Sequence, residues 1–327
     1  MNDIHTIVAD GDLDGLIAAS ILKICYPQAV VHFAHAAEIR NGHLDSVIDR
    51  DTAICDLPFH PECGLYLDHH STNRPSQEEL DEFLAAGGVC EWRPEDSAAR
   101  VAFDLFCDSH DLTNMGSFME MVDKLDSGKI SLEEFRSEDP VLWLSRTIDL
   151  HDQDYVHSLL DWFSSGRSLA SILAEPDVSQ RISAAMQEQG GLQEMIHSQG
   201  HIIDRLAIVR MEDTGLRTNG YLVTASFGDE CDACCIVHGW SDGSIGDHTR
   251  PPLSASFYCN SFLHEGKGVF DLTRMARLLD ESGGGHANAC GCRVMPLDET
   301  LASEQRASTI DDVERNISLW LEEWSTR

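Results

Sequence analysis

The N-terminal third of the chain alternates short apolar runs with amphipathic stretches. Thr6–Ala9 reads as a buried strand and Leu16–Ile24 as a helix. Ala29–Ala34, introduced by Pro27, is the next β-like run, Gly42–Ile48 reads as a short helix, and Thr52–Cys55 and Gly64–Leu67 are two further strands. Such alternation predicts a parallel sheet with helices on both faces. Ser97 opens a strong helix in which Ala98, Val101, Ala102, Leu105 and Phe106 share helical spacing and read as core. From about Ser158 to Arg210 the pattern is mostly helical, interrupted at Pro176 and at Gly190-Gly191, as suits a connector. A second domain is expected to open with a strand near Gly220–Ala225 and to continue through strands at Cys235–His238 and Leu253–Tyr258. An amphipathic helix at Phe270–Leu279 then leads into Gly283-Gly284-Gly285-His286, whose backbone N–H groups could face an anion. A length of 327 residues suits two compact domains.

The polar residues that interrupt this pattern fall where the predicted strands end. The first strand runs into Asp10-Gly11-Asp12-Leu13-Asp14-Gly15, three carboxylates at spacing two before a glycine that permits the turn into the helix. Such a run is either a solvated acidic turn or a set of hard oxygen ligands around a cation that offsets their repulsion. Two more strands end at Asp56 and at Asp68-His69-His70. In an open parallel sheet the ligand crevice lies at the carboxyl ends of the strands, so these residues can converge. Mixed Asp and His ligation suits Mn²⁺ or a similar divalent ion better than Ca²⁺. Arg74, in the polar loop that follows, is either a contact to a substrate phosphate or a solvent-facing arginine.

Charge narrows the choice of partner. Lys+Arg 23 against Asp+Glu 56 gives a formal net charge of −33, which argues against long nucleic acid, whose binding rests on cations neutralising phosphates. A small anionic substrate remains open where a metal and local arginines supply the positive field. The first residues lack a basic start followed by an apolar stretch, and no run of about 18 apolar residues suggests a membrane span. Eleven scattered cysteines fit reduced thiols in a cytoplasm. Cys231, Cys234 and Cys235 with Cys290 and Cys292 are either a structural zinc site or ordinary buried thiols, and the single residue between the last two weighs against zinc. Asp123–Glu134 imitates a calcium-binding EF-hand loop, with Gly128 at position six, but Leu125 sits where the second carboxylate belongs.

Taken together and in order, Asp10-Gly-Asp12-Leu-Asp14-Gly15, the strand-terminal Asp56 and Asp68-His69-His70 resemble the first three motifs of the DHH phosphoesterase superfamily. Gly283-Gly-Gly-His286-Ala-Asn-Ala-Cys-Gly291 resembles the glycine-rich motif of the DHHA1 domain that commonly follows, so the resemblance spans most of the chain. It implies an α/β architecture: residues 1–157 a metal-binding DHH domain with a mainly parallel sheet flanked by helices, 158–210 a helical connector, and 211–327 a smaller α/β DHHA1 domain that binds substrate. It implies two divalent ions, Mn²⁺ first with Mg²⁺ or Co²⁺ as alternatives. Asp10 and Asp12 would hold one, Asp14, His69 and Asp126 the other, with Asp56 bridging. Met121–Gly128 resembles the segment that completes the second ion's ligands, and Asp126 is preferred there, with Asp123, Asp149, Asp152 and Asp154 as rivals. Asp68 would orient a histidine, His70 would face the substrate phosphate, and Gly283, Gly284, Gly285 and His286, with Arg74, would bind substrate.

Two departures stand out. Ser254-Ala-Ser256-Phe-Tyr occupies the strand where many DHHA1 domains carry an arginine, so that phosphate contact is either lost or supplied by Arg250, Arg274 or Arg277, and Asp10 stands where several small-substrate members have histidine. On this resemblance the chain is expected to be a cytoplasmic phosphodiesterase that cleaves short linear oligonucleotides, dinucleotides such as pGpG first, to mononucleotides by two-metal activation of water. Its partner is then a short nucleotide, neither long nucleic acid nor membrane, and homodimerisation is left open. Alternative substrates are 3′-phosphoadenosine 5′-phosphate, a cyclic dinucleotide or polyphosphate, and the alternative outside catalysis is a nucleotide or calcium sensor.

Overall fold

The computed structural model describes residues 3–244, 249–264, 268–298, 301–302 and 308–327. The chain divides into two compact units, one comprising Met1–Ile130 with Ser137–Met186 and the other Ser131–Arg136 with Gln187–Arg327.

The first unit is built on five parallel strands, β1 (Thr6–Asp10), β2 (Val30–Ala34), β3 (Thr52–Cys55), β4 (Leu65–Asp68) and β5 (Val89–Trp92), in the order β2-β1-β3-β4-β5. Helices cover both faces, α1 (Leu13–Cys25) and α4 (Ala98–Phe106) one of them, α2 (Ala36–Arg40) and α3 (Gln77–Ala85) the other. The period of two in the strands sorts the core. Ile7, Ala9, Ala53, Cys55, Leu65 and Leu67 pack with Leu16, Ile17 and Val101, whereas Val8, Ile54 and Tyr66 pack with Ile39 and Phe83. The chain leaves β1 towards β2 and returns to pair β3 on the other side, so the strand order reverses at β1. A crevice is expected at the carboxyl ends beside that reversal.

The second unit carries a mixed sheet of β6 (His201–Ile203), β7 (Leu206–Arg210), β8 (Ala233–His238), β9 (Ser254–Cys259), β10 (Gly284–His286) and β11 (Ala289–Arg293), in the order β10-β11-β9-β8-β7-β6. Only β7 and β8 are parallel. Helix Ile310–Trp324 packs one face through Val313, Ile317, Trp320 and Trp324, and helix Gly220–Phe227 packs the other through Leu222 and Val223.

Four local expectations need correction. Helix α2 lies earlier than Gly42–Ile48: it starts after His35, whose N–H donates to Glu38 at 2.9 Å, and ends before Gly42, which takes a left-handed φ of 71°. Gly220–Ala225 is helix and not strand. A short apolar run fits either state, and Asn219, accepting from the Leu222 N–H at 3.0 Å, caps it as a helix. Gly190-Gly191 does not interrupt the helix Pro176–Gln199, where nothing crowds either glycine, and residues 201–210 are strands β6 and β7. The amphipathic stretch after Phe270 yields only the short helix Thr273–Arg277.

Candidate metal centre

The ends of β1, β3 and β4 bring the predicted residues together. Asp10 is the last residue of β1 and Asp68 of β4. Asp56 follows β3 with a φ of 59°, in the left-handed region of the backbone. Gly15 is required by close approach, since a Cβ there would collide with the Asp10 carbonyl. Asp12 caps α1 by accepting from the Gly15 N–H at 3.0 Å, and the next turn buries Asp14. The two oxygens of Asp14 accept from the Ala98 and Ala99 N–H groups, each at 2.7 Å, which places its charge at the N-terminus of α4.

His69 Nε2 is the common neighbour of the cluster. It lies 3.0 Å from Asp126 Oδ2, 3.7 Å from Asp14 Oδ2 and 3.9 Å from Asp56 Oδ1. Its other nitrogen, Nδ1, sits 3.1 Å from the Glu95 carbonyl oxygen. A carbonyl only accepts, so Nδ1 carries a proton and Nε2 is the nitrogen turned to the carboxylates; burial disfavours charge on the ring, but Asp126 beside it raises the His69 pKa overall. Asp126, the last residue of helix Met119–Asp126, aims Oδ2 at that nitrogen. Asp56 Oδ1, His69 Nε2 and Asp126 Oδ2 are all buried with no hydrogen-bond partner. Desolvation makes such orphan groups costly, and a bound cation would give all three a partner at once. The residues present therefore fit a divalent ion, with Asp14, His69 and Asp126 forming one ligand group and Asp56, Asp68, His69 and His70 another.

The electrostatics agree. Burial, then the Asp126 and Asp12 charges, pushes the Asp14 carboxyl well above the usual carboxylate range, and burial followed by Asp14 and Asp12 does the same to Asp56. Burial and the Asp12 charge push Asp10 up to about 6. Asp68 moves in the opposite direction. Burial alone would raise it, but donors outweigh that: His70 Nδ1 at 3.0 Å, the His69 and His70 N–H groups at 2.7 and 3.1 Å, and the Tyr66 hydroxyl at 2.8 Å. Asp68 in turn raises the pKa of His70.

The remaining predicted residues sort clearly. Neither Asp10 nor Asp12 belongs to a ligand group of three among the described residues; Asp10 accepts from the Gly11 N–H at 2.6 Å. Arg74 stacks on Trp92 at 4.5 Å, and Trp92 donates to the His70 carbonyl at 2.9 Å, so Arg74 is tied to the His70 loop. Asp123 is occupied by Ser97 and Arg100, and Glu134 by Ser131, which removes the calcium-loop reading. Asp149 accepts from the His151 N–H, Asp152 caps the helix Gln153–Ser164 and pairs with Arg181, and Asp154 lies in that helix's first turn; none joins the cluster. The cysteines are unpaired, and none of them joins a group of three possible metal ligands among the described residues. Gly283–His286 lies in the second unit, with Gly284–His286 as the edge strand β10.

Three contributors escaped the sequence reading. Tyr66 shares a strand face with Asp68, two residues on, a spacing that could have revealed it. His35, the first residue after β2, faces the Asp10 charge and is one more polar residue at a strand end. The amides of Ala98 and Ala99 carry no signal of their own.

No protein-family model matches the chain, and no curated protein matches it in sequence. Solved structures do. A pGpG-specific phosphodiesterase, PggH from Vibrio cholerae, superposes with a TM-score of 0.74 at 20% identity, covering 97% of this chain and 98% of that one. An exonuclease RecJ bound to manganese gives 0.55 at 12% identity over 98% and 90% of the two chains. RecJ from Thermus thermophilus in complex with Mn²⁺ gives 0.50 at 13% identity, over 97% of this chain and 52% of that one. The chain has the fold of these proteins, and the motif resemblance and the structural likeness point to the same architecture.

Proposed function

We propose that this chain is a metal-dependent DHH/DHHA1 phosphodiesterase that hydrolyses short linear oligonucleotides, dinucleotides such as pGpG first, to nucleoside monophosphates. The observation that carries the reading is the meeting of Asp56 Oδ1, Asp126 Oδ2 and His69 Nε2, three buried polar atoms with no hydrogen-bond partner. Support for the substrate class comes from the full-length likeness to a pGpG-specific phosphodiesterase and from a net charge that disfavours long nucleic acid. Asp14, His69 and Asp126 would hold one ion, Asp10 and Asp12 the other, with Asp56 shared. Mn²⁺ is the first choice because mixed oxygen and imidazole donors suit it and RecJ is solved with it. Bound there, the ions would supply the positive charge that activates water and offsets charge growing on phosphorus.

The chain's own residues do the rest. Glu95 fixes the His69 tautomer through its carbonyl. Asp68 holds the His70 ring by Nδ1 and favours its charged form, leaving Nε2 to donate to a phosphoryl oxygen. Arg74, stacked on Trp92, is held ready for the same anion. In the second unit, Gly283–Gly285 and His286 would bind the phosphate or nucleotide. Eleven free cysteines support a reducing, cytoplasmic setting.

The test is turnover with Mn²⁺ on pGpG, longer RNA oligomers, cyclic dinucleotides, 3′-phosphoadenosine 5′-phosphate and polyphosphate side by side, with Asp56→Asn as control. Cleavage of dinucleotides that fades with length supports the proposal. Preference for another substrate reassigns the class, and metal binding without turnover on any of them leaves a sensor.

A further inference from the structure

The mixed sheet of the second unit has β6 and β10 as its two edges, and a cavity of about 480 Å³ lies at the β6 edge. Met195 and Gln199 line it from the last turns of helix Pro176–Gln199, His201 from β6, Arg210 from the end of β7, and Glu212 and Thr214 from the loop that follows. All six belong to the same unit. Pockets that hold small molecules run from about 300 to 1,000 Å³, so the space suits an organic ligand.

Its wall has one positive charge and more than one negative. Arg210 is shared by two carboxylates: Nε donates to Glu212 Oε1 at 2.6 Å, and the terminal nitrogens reach Glu212 and Glu314. Glu314 is largely exposed and solvated, whereas the Glu212 side chain is only 9% exposed. The arginine spends both of its contacts to Glu212 on Oε1. The second oxygen, Oε2, is buried with no hydrogen-bond partner among the described residues, a costly condition for a carboxylate. Thr214 does not relieve it, since its hydroxyl donates to the Met211 carbonyl at 2.6 Å. The cavity thus has a surplus negative charge and an acceptor that awaits a donor.

We propose that this cavity binds a small organic cation of the alkylammonium class, a polyamine, with an ammonium group donating to Glu212 Oε2. An ammonium carries three N–H donors and the missing positive charge, and its bond to a buried carboxylate is charge-assisted. The thioether of Met195 offers a polarisable wall to the methylene stem, and the side-chain carbonyl of Gln199 is an acceptor for a further amine. A metal ion is not the cation that fits, because each group of three possible metal ligands among the described residues is drawn from the first unit. An anion would meet the surplus carboxylate. The inference does not depend on the phosphodiesterase reading.

The experiment titrates spermidine into the metal-free full-length protein by calorimetry, at an ionic strength that screens diffuse attraction to the acidic surface. The proteins are wild type, Glu212→Gln, Gln199→Trp and Glu62→Gln. Gln199 is exposed at a helix end, so Trp there fills the cavity without touching the Arg210–Glu212 pair, and Glu62 is an exposed acid of the first unit. Wild type should show one saturable site. Glu212→Gln and Gln199→Trp should each weaken it at least about tenfold, as expected for losing a hydrogen bond to a charged group, and Glu62→Gln should leave it unchanged. Absence of a saturable site, an equal loss in Glu62→Gln, or wild-type binding by either cavity variant would overturn the proposal. Binding of the uncharged 1,8-octanediol as tightly as spermidine would overturn the cationic class.

Discussion

Replacing Asp126 by Asn should make the metal-free protein more stable and the metal-loaded protein less so. The ligand oxygens of Asp126 and Asp14 lie within 4.8 Å of each other. At an effective dielectric of about 20, two charges at that separation repel by about 3.5 kcal/mol. Asp126 also ends its helix, where a negative charge opposes the macrodipole by a further ~0.3–1 kcal/mol. His69 Nε2, 3.0 Å from Asp126, offsets part of this where its ring is protonated, which Asp126 favours against the burial that opposes it. Protonation of Asp14 relieves part of this, so a net gain of about 1–3 kcal/mol is expected for the variant without metal at pH 8. Each kcal/mol raises the melting temperature by roughly 2–4 °C in a unit of this size. With saturating Mn²⁺ the order should invert, because the wild type gains binding free energy that the variant loses. Melting curves of both proteins in EDTA and in Mn²⁺ decide it. The same order in both buffers would refute the claim that these acids are held apart from their natural counter-charge.

Other perturbations test single features. Asp56→Gly should fold about as well as wild type and be inactive, whereas Asp56→Ala should lose about 1 kcal/mol more in urea titrations, because its φ of 59° disfavours a Cβ. Asp280 is buried against Arg293 at 2.8 and 3.1 Å, and that arginine holds its carboxyl below the usual range. Its contribution is therefore full above the unfolded carboxylate pKa of about 4 and is lost as pH falls through the lower folded value. Asp280→Asn should flatten the acid limb of second-unit stability. Trp320, fully buried and edge-on to Phe257 at 5.1 Å, should cost about 3–5 kcal/mol as Ala. Trp320→Phe should cost much less, because the indole N–H has no partner to lose.

The strands that carry the site were legible because they are buried on both faces. Short apolar runs had to end where Asp10, Asp56 and Asp68 begin, and the parallel sheet then made them neighbours. Asp126 was visible only through resemblance, since nothing in Lys124-Leu-Asp126 distinguishes it from Asp123, which Arg100 holds elsewhere. Gly220–Ala225 was misread because a six-residue apolar run is as consistent with a buried helix as with a strand, and only its Asn219 cap decides. Gly190-Gly191 looked like a break because glycine weakens a helix by about 1 kcal/mol, a cost that a 24-residue helix absorbs. The donors that tune Asp14 are backbone amides, which every sequence has and none advertises.

The double attachment of Asp14 shapes how this protein can degenerate over evolutionary time. Its carboxylate is part of the ligand cluster and also caps α4 through Ala98 and Ala99. On the phosphodiesterase reading proposed above, a lineage released from selection for catalysis can discard Asp126 or His69 and keep its scaffold, but discarding Asp14 loosens a helix as well. Descendants that have become binding proteins should therefore retain an aspartate at this position long after the chemistry is gone, so its presence alone is a poor witness of activity, and the pair Asp126 and His69 a better one.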